Sequence, residues 1–224
     1  MKVCVLIPSY NESKTISAIV RSIKTKGYDV LVVDDGSTDD TAKAAAREGA
    51  VVISHEKNLG KGASIKEGFN YILSTTNYEV IIIMDGDGQH HPDEVDKFLA
   101  HADRYSDDLV IGNRMGYTKN MPLLRFLTNK LTSFLISSMC KQRIPDTQCG
   151  FRLLRRSALE RLDLTSSKYD TESEMLIKAS RKGFKIASLP VKTIYSGEKS
   201  EIHPVKDTIR FISLFVKSYF SRNN

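Results

Sequence analysis

The sequence contains only three cysteines, Cys4, Cys140 and Cys149, and no Cys-x-x-Cys pair. Three irregularly spaced cysteines cannot form a disulfide framework, and they are typical of a reduced, cytosolic protein. Long apolar runs are also absent, since no stretch approaches the roughly 18 uncharged apolar residues that a membrane span requires. The N-terminal segment before Pro8 is too short for a signal peptide and predicts a first strand. We therefore expect a cytoplasmic protein that is at most peripheral on the cytoplasmic face of a membrane.

Basic residues are in modest excess, with 33 lysines and arginines against 27 acidic residues and a net charge of +6. No block of them is dense enough for a nucleic-acid arm, and none is interleaved with aromatic residues as single-strand-binding surfaces are. The excess is compatible with phosphate-bearing ligands or an anionic membrane surface, and we expect no nucleic-acid partner. With 224 residues, 41% of them hydrophobic and 27% charged, the chain is long enough for one well-packed domain.

Short apolar runs alternate with segments of helical period in the first half of the chain. The runs are rich in valine and isoleucine and predict strands at residues 3–7, 30–33, 51–53, 80–84 and 109–111. Between the first two runs, Ile16, Ile19, Val20 and Ile23 occupy one face of a helix. Uninterrupted apolar strands joined by helices predict an α/β fold, with a mostly parallel central sheet and helices on both faces.

The second half of the chain continues the same domain with a different spacing. A long helical segment at residues 123–139 precedes a loop at 145–152 and a helix near 171–181. A strand pair is then expected at 185–195, and a last helix at 205–220.

Polar residues follow four of the predicted strands at the point where each strand ends. They lie at positions 8–12, 34–37, 85–87 and 112–114. Parallel strands bring their carboxyl ends to one edge, where open α/β sheets bind ligands. One aspartate at a strand end is commonly a helix cap, but four polar, glycine-containing ends on one edge indicate a ligand site.

Asp85 and Asp87 follow the most apolar strand directly, separated by one glycine. Two carboxylates this close repel each other unless a cation or good hydrogen bonds offset the cost. Oxygen ligands of this kind suit Mg²⁺ or Mn²⁺, which usually share their coordination shell with substrate phosphates. The alternative is that both residues cap the turn before the helix opened by Pro92. The neighbouring His90 and His91 are expected to be solvated.

The segment after the second predicted strand reads DDGSTDDT, at residues 34–41. Ser37 or Thr38 is expected to cap the following helix, and the acids of its first turn complement the helix dipole. Asp34 and Asp35 lie nearer the strand, and capping does not require them. They are therefore candidates for contact with a nucleotide base or ribose.

In combination, these motifs resemble the inverting family 2 glycosyltransferases, which have the Rossmann-like GT-A fold. The matching stretches are PSYNE at 8–12, DDGSTDDT at 34–41, NLGKG at 58–62, DGDGQHHPDE at 85–94 and GNR at 112–114. Within that family, DTQCGFRLLRR at 146–156 is similar to the Asp-x-x-x-Gly-Phe-Arg stretch of dolichyl-phosphate mannose synthases and other polyprenyl-phosphate glycosyltransferases. The resemblance implies a single domain over 1–224, with a nucleotide-sugar-binding half at 1–115 and an acceptor-binding half at 116–224.

The resemblance also implies where the donor sugar nucleotide and the metal bind. The residues expected to bind the donor are Pro8, Tyr10, Glu12, Asp34, Asp35, Lys61, Asp85, Gln89 and Lys199. Those expected to hold a divalent Mg²⁺ or Mn²⁺ ion on the donor diphosphate are Asp85, Asp87, Gln89 and His203. The segment after the last strand pair, which contains Lys199 and His203, departs from the mannose synthase pattern.

On the acceptor side, the resemblance implies that Arg114 and Arg125 grip the acceptor phosphate. The residues expected to act in the transfer itself are Asp87, Arg114, Asp170 and Glu172. An ionised lipid phosphate needs no deprotonation, whereas a sugar hydroxyl needs a carboxylate base. Asp170 and Glu172 are therefore open to three roles: a base, an acid that organises an arginine, or a helix cap. We favour the organising role.

The last predicted helix has an unusually wide apolar arc, with basic residues on the opposite side. Its apolar residues are Val205, Ile209, Phe211, Ile212, Phe215, Val216, Tyr219 and Phe220. Packing against the core accounts for most of that arc. Its excess width suits peripheral contact with a membrane interface, as a polyprenyl-phosphate acceptor would require.

The leading hypothesis is a metal-dependent inverting glycosyltransferase that moves a sugar from a GDP- or UDP-sugar to a polyprenyl or dolichyl phosphate. One alternative keeps this donor chemistry with a saccharide or other hydroxyl acceptor, and another is a non-catalytic sugar-nucleotide-binding module. A Rossmann-type dehydrogenase is disfavoured, because the required Gly-x-Gly-x-x-Gly is missing after the first strand.

Overall fold

The computed structural model describes residues 1–118, 121, 123–165 and 171–194. The predicted last helix at 205–220, with its proposed membrane contact, lies outside these residues. So do three predicted site residues, Asp170, Lys199 and His203, and their roles remain predictions.

Seven strands form one sheet in the described part of the chain. All five strands predicted from the apolar runs are present, and four of them are almost entirely buried, whereas β3 is an exposed edge strand. The strands are β1 (Val3–Ser9), β2 (Asp29–Asp34), β3 (Val51–Ser54), β4 (Val80–Ile83), β5 (Leu109–Asn113), β6 (Arg152–Arg155) and β7 (Ile186–Pro190).

The sheet order is β3-β2-β1-β4-β6-β5-β7, and six of the seven strands run in the same direction. Only β6 is antiparallel, and it pairs with both β4 and β5. Arg152, the first residue of β6, lies opposite Ile83 and Ile111 near the carboxyl ends of those strands. The loop at 146–151 therefore reaches the same edge as the polar strand ends. The mostly parallel sheet is confirmed, whereas β6, which begins at the last residue of the predicted loop at 145–152, was not predicted.

The helices follow the strands in alternation through the first half of the chain. They are α1 (Ile16–Thr25), α2 (Thr41–Arg47), α3 (Lys61–Thr75), α4 (Glu94–Arg104), α5 (Leu123–Cys140), α6 (Arg156–Leu159) and α7 (Thr171–Arg181). Strands β1 to β3 progress towards one edge, and the chain then returns through α3 to β4. Right-handed crossovers place α1 and α2 on one face of the sheet and α3 on the other, so the prediction of helices on both faces is confirmed.

The predicted strand pair at 185–195 is wrong. Its first half forms β7, which pairs in parallel with β5 at the edge of the sheet. Thr193 instead forms an isolated antiparallel bridge with His90, across from the loop that follows β4. The segment therefore closes over the polar edge of the sheet rather than folding back on itself.

Pro8 occupies the second-last position of β1, a central strand, without costing a ladder hydrogen bond. Leu6 O accepts from Met84 N, and Ser9 O accepts from Asp35 N, so alternate residues of β1 face β4 and β2. Pro8 faces the β4 side, but pairing with β4 ends at Leu6. The missing N–H of proline therefore falls where the two strands have already separated. This opening between β1 and β4 lies beside the carboxylates that follow β4.

Among the described residues, no helix combines the length and the apolar character needed to cross a bilayer.

Close packing of α3 on β1 makes Gly68 a sensitive position. An added Cβ would lie 2.3 Å from Cδ1 of Leu6, whose side chain is fully buried. We expect Gly68→Ala to lower the free energy of unfolding by about 1–3 kcal/mol, although alanine is the better helix former. Urea unfolding measures the change. The matched control is Gly116→Ala, where a Cβ meets nothing within 4 Å. Equal stability of the two variants would contradict the packing argument.

Candidate active site

Hydrogen bonds from side chains connect the loops that follow β1 and β2. Asn11, at a positive φ of 56°, accepts a hydrogen bond from Thr38 N on its Oδ1 at 2.9 Å. Its own N–H donates to Oγ of Ser37 at 2.9 Å, and Glu12 N donates to Oγ1 of Thr41 at 2.8 Å. Two strand-end loops are thereby held as one unit beside the opening at Pro8.

Both aspartates at the end of β2 are buried and hydrogen-bonded within the protein. Asp35 accepts from Leu59 N at 2.9 Å and Gly60 N at 2.8 Å, and it also pairs with Nδ1 of His55 at 2.8 Å. Asp34 accepts from the hydroxyl of Ser37. These contacts make the aspartates organisers of the loops at 36–38 and 55–60. Their contact with a base or ribose stays a prediction.

The predicted capping role of Ser37 or Thr38 is wrong. Helix α2 begins at Thr41, whose N–H donates to Oδ1 of Asp39 at 3.0 Å. Ser37 and Thr38 instead bond to Asn11 in the neighbouring loop. Asp39 serves the helix because it lies two residues before the N–H that needs a partner.

Lys61, the first residue of α3, lies between two carboxylates. Its Nζ is 2.6 Å from Oδ1 of Asp85 and 2.7 Å from Oε1 of Glu172, in the first turn of α7. Burial opposes the charge on Lys61, but both carboxylates stabilise it and raise its pKa above the usual value. The loop after β4, the start of α3 and the start of α7 thus meet at one ammonium group.

The two carboxylates of the Asp-x-Asp pair are in different electrostatic environments. Burial opposes ionisation of Asp85, but Lys61, His90 and Arg114 outweigh it, and the pKa of Asp85 is lowered. Burial and the charge of Asp85 raise the pKa of Asp87. One oxygen of Asp87 accepts the backbone N–H of Gln89 at 2.9 Å. The charge of Asp85 is thus balanced by the protein, whereas the charge on Asp87 is disfavoured by its surroundings.

Glycines allow the chain to pass directly against this pair. A Cβ at position 150 would lie 2.4 Å from Oδ2 of Asp85, and a Cβ at position 86 would lie 2.7 Å from Oγ of Ser9. The side chain of Asp85 is therefore enclosed by Lys61 on one oxygen and by Gly150 on the other. No larger residue fits at position 150 unless the carboxylate moves.

Arg114 follows β5, is buried, and forms a bidentate ion pair with Asp146. Its Nε and Nη2 donate to the carboxylate of Asp146 at 2.8 and 2.9 Å, and its backbone N–H donates to the same group at 3.0 Å. Hydrogen bonds from Arg114 overcome the effect of burial and lower the pKa of Asp146. Arg114 thereby fixes the loop at 146–151, and its predicted grip on the acceptor phosphate stays a prediction.

Arg152 is a site residue that the sequence analysis missed. It is fully buried, and its guanidinium donates to the backbone oxygens of Cys149 at 3.0 Å, Thr147 at 2.9 Å and Glu172 at 2.6 Å. It therefore connects the loop beside Asp85 to the start of α7. The only signal in the sequence is its position after Gly-Phe, because the partners are main-chain atoms.

The prediction that His90 is solvated is wrong. The ring is 3% exposed and lies against Phe151, with 5.3 Å between the ring centroids. Burial lowers its pKa from 6.5 to about 4, although Asp85 opposes that shift. The imidazole is therefore neutral at physiological pH. His91, one residue later, is exposed as expected.

The remaining predicted residues surround this group. Pro8 and Tyr10 lie at the opening between β1 and β4, where Tyr10 is 40% exposed. Oγ1 of Thr15 donates to Gly86 O at 2.6 Å and lies 3.3 Å from Oε2 of Glu12. Arg125, in the first turn of α5, is half-buried, and its charge acts on Asp87. The structure thus brings the described candidates to one edge of the sheet.

The donor atoms available at this edge fit a hard divalent cation. Asp87 offers a carboxylate whose ionisation the protein disfavours, which a cation would offset. The described residues contain no cluster of three or more potential ligands, so a bound ion would take most of its coordination from elsewhere. Ions that bind through one or two carboxylates usually complete their shell with water and substrate phosphates.

An open α/β sheet with acids and basic groups at its carboxyl edge defines a protein that binds a ligand there, in the manner of nucleotide-dependent enzymes. Residues 4–163 match the profile of Glycosyl transferase family 2, and the chain belongs to this family of enzymes. The resemblance seen in the sequence is therefore confirmed.

Similarity extends over most of the chain in relatives of known activity. The UDP-N-acetylglucosamine–dolichyl-phosphate N-acetylglucosaminyltransferase of Methanococcus voltae is 32% identical and covers 85% of each chain. The polyprenol monophosphomannose synthase of Mycolicibacterium smegmatis is also 32% identical, over 84% of this chain and 75% of its own. Both enzymes are named for lipid-linked acceptors.

The glucosyl-3-phosphoglycerate synthase of Mycobacterium tuberculosis, solved with Mn²⁺, UDP and phosphoglyceric acid, has the same fold. The TM-score is 0.75 with 19% identity, over 99% of this chain and 78% of that one. The GT-A architecture expected from the sequence is therefore confirmed.

The buried neutral His90 gives a testable pH dependence of stability. Because its pKa is about 4 in the folded state against 6.5 ordinarily, the unfolded chain binds the extra proton first as pH falls. The stability due to neutral His90 is complete above pH 6.5 and is lost as pH falls towards 4. Urea unfolding at pH 7 and pH 4.5 should show that His90→Asn removes about 2–3 kcal/mol of this pH dependence.

The control is His91→Asn, which changes the exposed neighbouring histidine and should keep the pH dependence of the wild type. Any loss of packing in His90→Asn lowers stability equally at both pH values. A pH dependence that is the same in His90→Asn and the wild type would contradict the assignment.

Proposed function

We propose that this enzyme transfers a sugar, with inversion at the anomeric carbon, from a nucleoside diphosphate sugar to the phosphate of a polyprenyl phosphate. A phosphate oxygen of the acceptor forms the new bond to the anomeric carbon. The bond from that carbon to the donor diphosphate breaks, and its electron pair leaves with the nucleoside diphosphate. Two relatives at 32% identity, named for dolichyl-phosphate and polyprenol acceptors, support this acceptor class.

The ion pair between Glu172 and Lys61 favours a phosphate acceptor over a hydroxyl acceptor. A hydroxyl acceptor needs a carboxylate that is available to take its proton. Glu172 is buried, and its Oε1 lies 2.7 Å from the ammonium of Lys61, so this carboxylate is already engaged in an ion pair. A phosphate acceptor is already ionised near neutral pH and has to be held rather than deprotonated. The described site fits that requirement better.

On the donor side, Asp87 would hold Mg²⁺ or Mn²⁺, with Gln89 adjacent and His203 a further predicted ligand. A divalent ion at this position stabilises the negative charge that develops on the departing diphosphate. Asp85 contributes by holding Lys61 close to the same edge. Arg125 supplies a positive charge on the side of α5, where the acceptor phosphate would lie. The metal-bearing UDP complex of the structurally similar synthase supports this arrangement.

Calorimetric titration of UDP and GDP, each with and without Mn²⁺, tests the donor site. One nucleotide should bind, and binding should require the metal. Asp87→Asn keeps the size of the side chain but removes its charge, and it should weaken binding by on the order of tenfold or more. Asp103→Asn, an exposed carboxylate on α4, is the matched control. Binding that is unaffected by a chelator, or failure of every nucleoside diphosphate to bind, would reject the proposed donor site.

Glu172→Gln tests the acceptor, with turnover measured on a polyprenyl phosphate across a range of pH. Glutamine still accepts a hydrogen bond from Lys61, so we expect kcat to fall by no more than about tenfold and the pH profile to keep its shape. Loss of a general base would instead lower kcat by about 10²–10⁴ and abolish the ascending limb of the profile. That second result, together with turnover of a saccharide acceptor by the wild type, would favour the hydroxyl alternative.

A further inference from the structure

Helix α5 presents its large apolar residues to solvent. Five of them, which we call the α5 stripe, are between 53% and 72% exposed: Leu123, Leu124, Leu127, Leu131 and Phe134. At 3.6 residues per turn they occupy one arc of about 100° and extend about 16 Å along the helix axis. A continuous apolar surface of this kind usually marks an interaction site.

The inner face of α5 combines polar and apolar residues and contains no leucine. Its buried residues are Asn129, Ser133, Ile136 and Cys140, on the side of the helix opposite the α5 stripe. Ser133 Oγ accepts from Thr147 N at 3.0 Å in the acceptor-side loop, and the helix also packs against α7. The orientation is therefore determined by specific contacts, so the leucines cannot turn inward. An amphipathic helix with its leucines outward needs another apolar surface to cover them.

The surroundings of the α5 stripe are positively charged. Residues 109–145 contain six lysines and arginines and no acidic residue. Lys130 lies at the edge of the stripe, and Lys141 and Arg143 follow the helix; all three are exposed. Two copies of this face would bring like charges together, which disfavours a symmetric dimer through it. Anionic lipid headgroups provide the complementary charge, and acyl chains provide the apolar partner.

The position of the α5 stripe relative to the site agrees with a lipid acceptor. Ser133 of α5 accepts from Thr147 N, in the loop whose Gly150 lies directly against Asp85, so α5 flanks this edge of the sheet. A polyprenyl phosphate keeps its isoprenoid chain in the bilayer and its phosphate at the interface. This edge of the sheet must therefore approach the bilayer, and the helix that flanks it carries the α5 stripe.

We propose that the α5 stripe is a docking surface for an anionic bilayer, which brings the acceptor-side opening of the site to the membrane interface. This inference rests on the proposed lipid-phosphate acceptor. It is separate from the predicted contact through residues 205–220, which lie outside the described chain.

Vesicle flotation of the full chain tests this docking surface. The vesicles contain phosphatidylcholine alone or with phosphatidylglycerol, and no polyprenyl phosphate. The wild type should float with the anionic vesicles. The variant Leu127→Ser/Leu131→Ser/Phe134→Ser should bind them at least about tenfold more weakly. The matched control, Val51→Ser/Tyr105→Ser, removes exposed apolar side chains elsewhere and should bind as the wild type does.

Turnover with a water-soluble, short-chain isoprenyl phosphate separates the two proposals. The α5 stripe variant should keep this activity and its melting temperature, because the substituted side chains face solvent. Vesicle binding by a wild type that glycosylates no isoprenyl phosphate would reject the proposed function but leave the docking surface. A wild type that does not float, or a stripe variant that floats equally well, would overturn the docking surface.

A spin label at Leu127→Cys identifies other occupants and does not depend on the triple variant. All three native cysteines are buried, so the label attaches to the introduced residue. The nitroxide should be mobile in solution and become shielded from a water-soluble relaxation agent on anionic vesicles. A label immobilised without vesicles in the dilute monomer would show that the chain itself covers the α5 stripe. Immobilisation that increases with protein concentration would indicate a second copy, and either result would overturn the proposal.

Discussion

The site depends on the ion pairs that Lys61 makes with Asp85 and Glu172. This ammonium group, at the start of α3, brings together two segments that are far away in the sequence: the loop after β4 and the start of α7. Removing its charge would leave the carboxylates of Asp85 and Glu172 close together without their shared ammonium partner, with Asp87 nearby, which would destabilise this edge of the sheet. The same contacts support the proposal of an ionised acceptor rather than a hydroxyl.

A second set of buried charged residues fixes the loop at 146–151, which lies against Asp85. Arg114 binds Asp146, and Arg152 binds three main-chain oxygens, so the loop at 146–151 is fixed at both ends. Gly150 can then lie directly against Asp85. Arg152 and Lys61 both reach the first turn of α7, where they contact the backbone and the side chain of Glu172. The loop at 146–151 and the start of α3 are therefore both connected to Glu172.

Much of the fold follows from local patterns, because a strand buried on both faces has to be apolar throughout and a helix on a sheet has to be amphipathic. The strand-end acids could be located for the same reason. What could not be predicted depends on distant partners. Strand β6 is short and carries arginine at both ends, so no pattern separates it from a loop. The sequence near His90 does not indicate that it is buried, because the residues that cover it, Phe151 and Thr193, are distant in the chain.

Helix α5 shows this limit most clearly, since its leucine spacing is that of an ordinary packed helix. Its orientation is set by contacts such as the hydrogen bond of Ser133 with Thr147 N and by the packing of the helix against α7. A periodicity argument identifies the two faces of such a helix but not which of them turns inward.

The position of β6 has a consequence for synthesis of the chain. Strand β4, with four fully buried apolar residues, is complete at residue 83, but its neighbour on one side is supplied by residues 152–155. Until about seventy further residues have been made, the nascent sheet ends in an unpaired apolar strand, the kind of edge at which chains aggregate. Folding of the first half of the chain is therefore completed by a strand from the second half, and the two halves are more closely tied than their order in the sequence suggests.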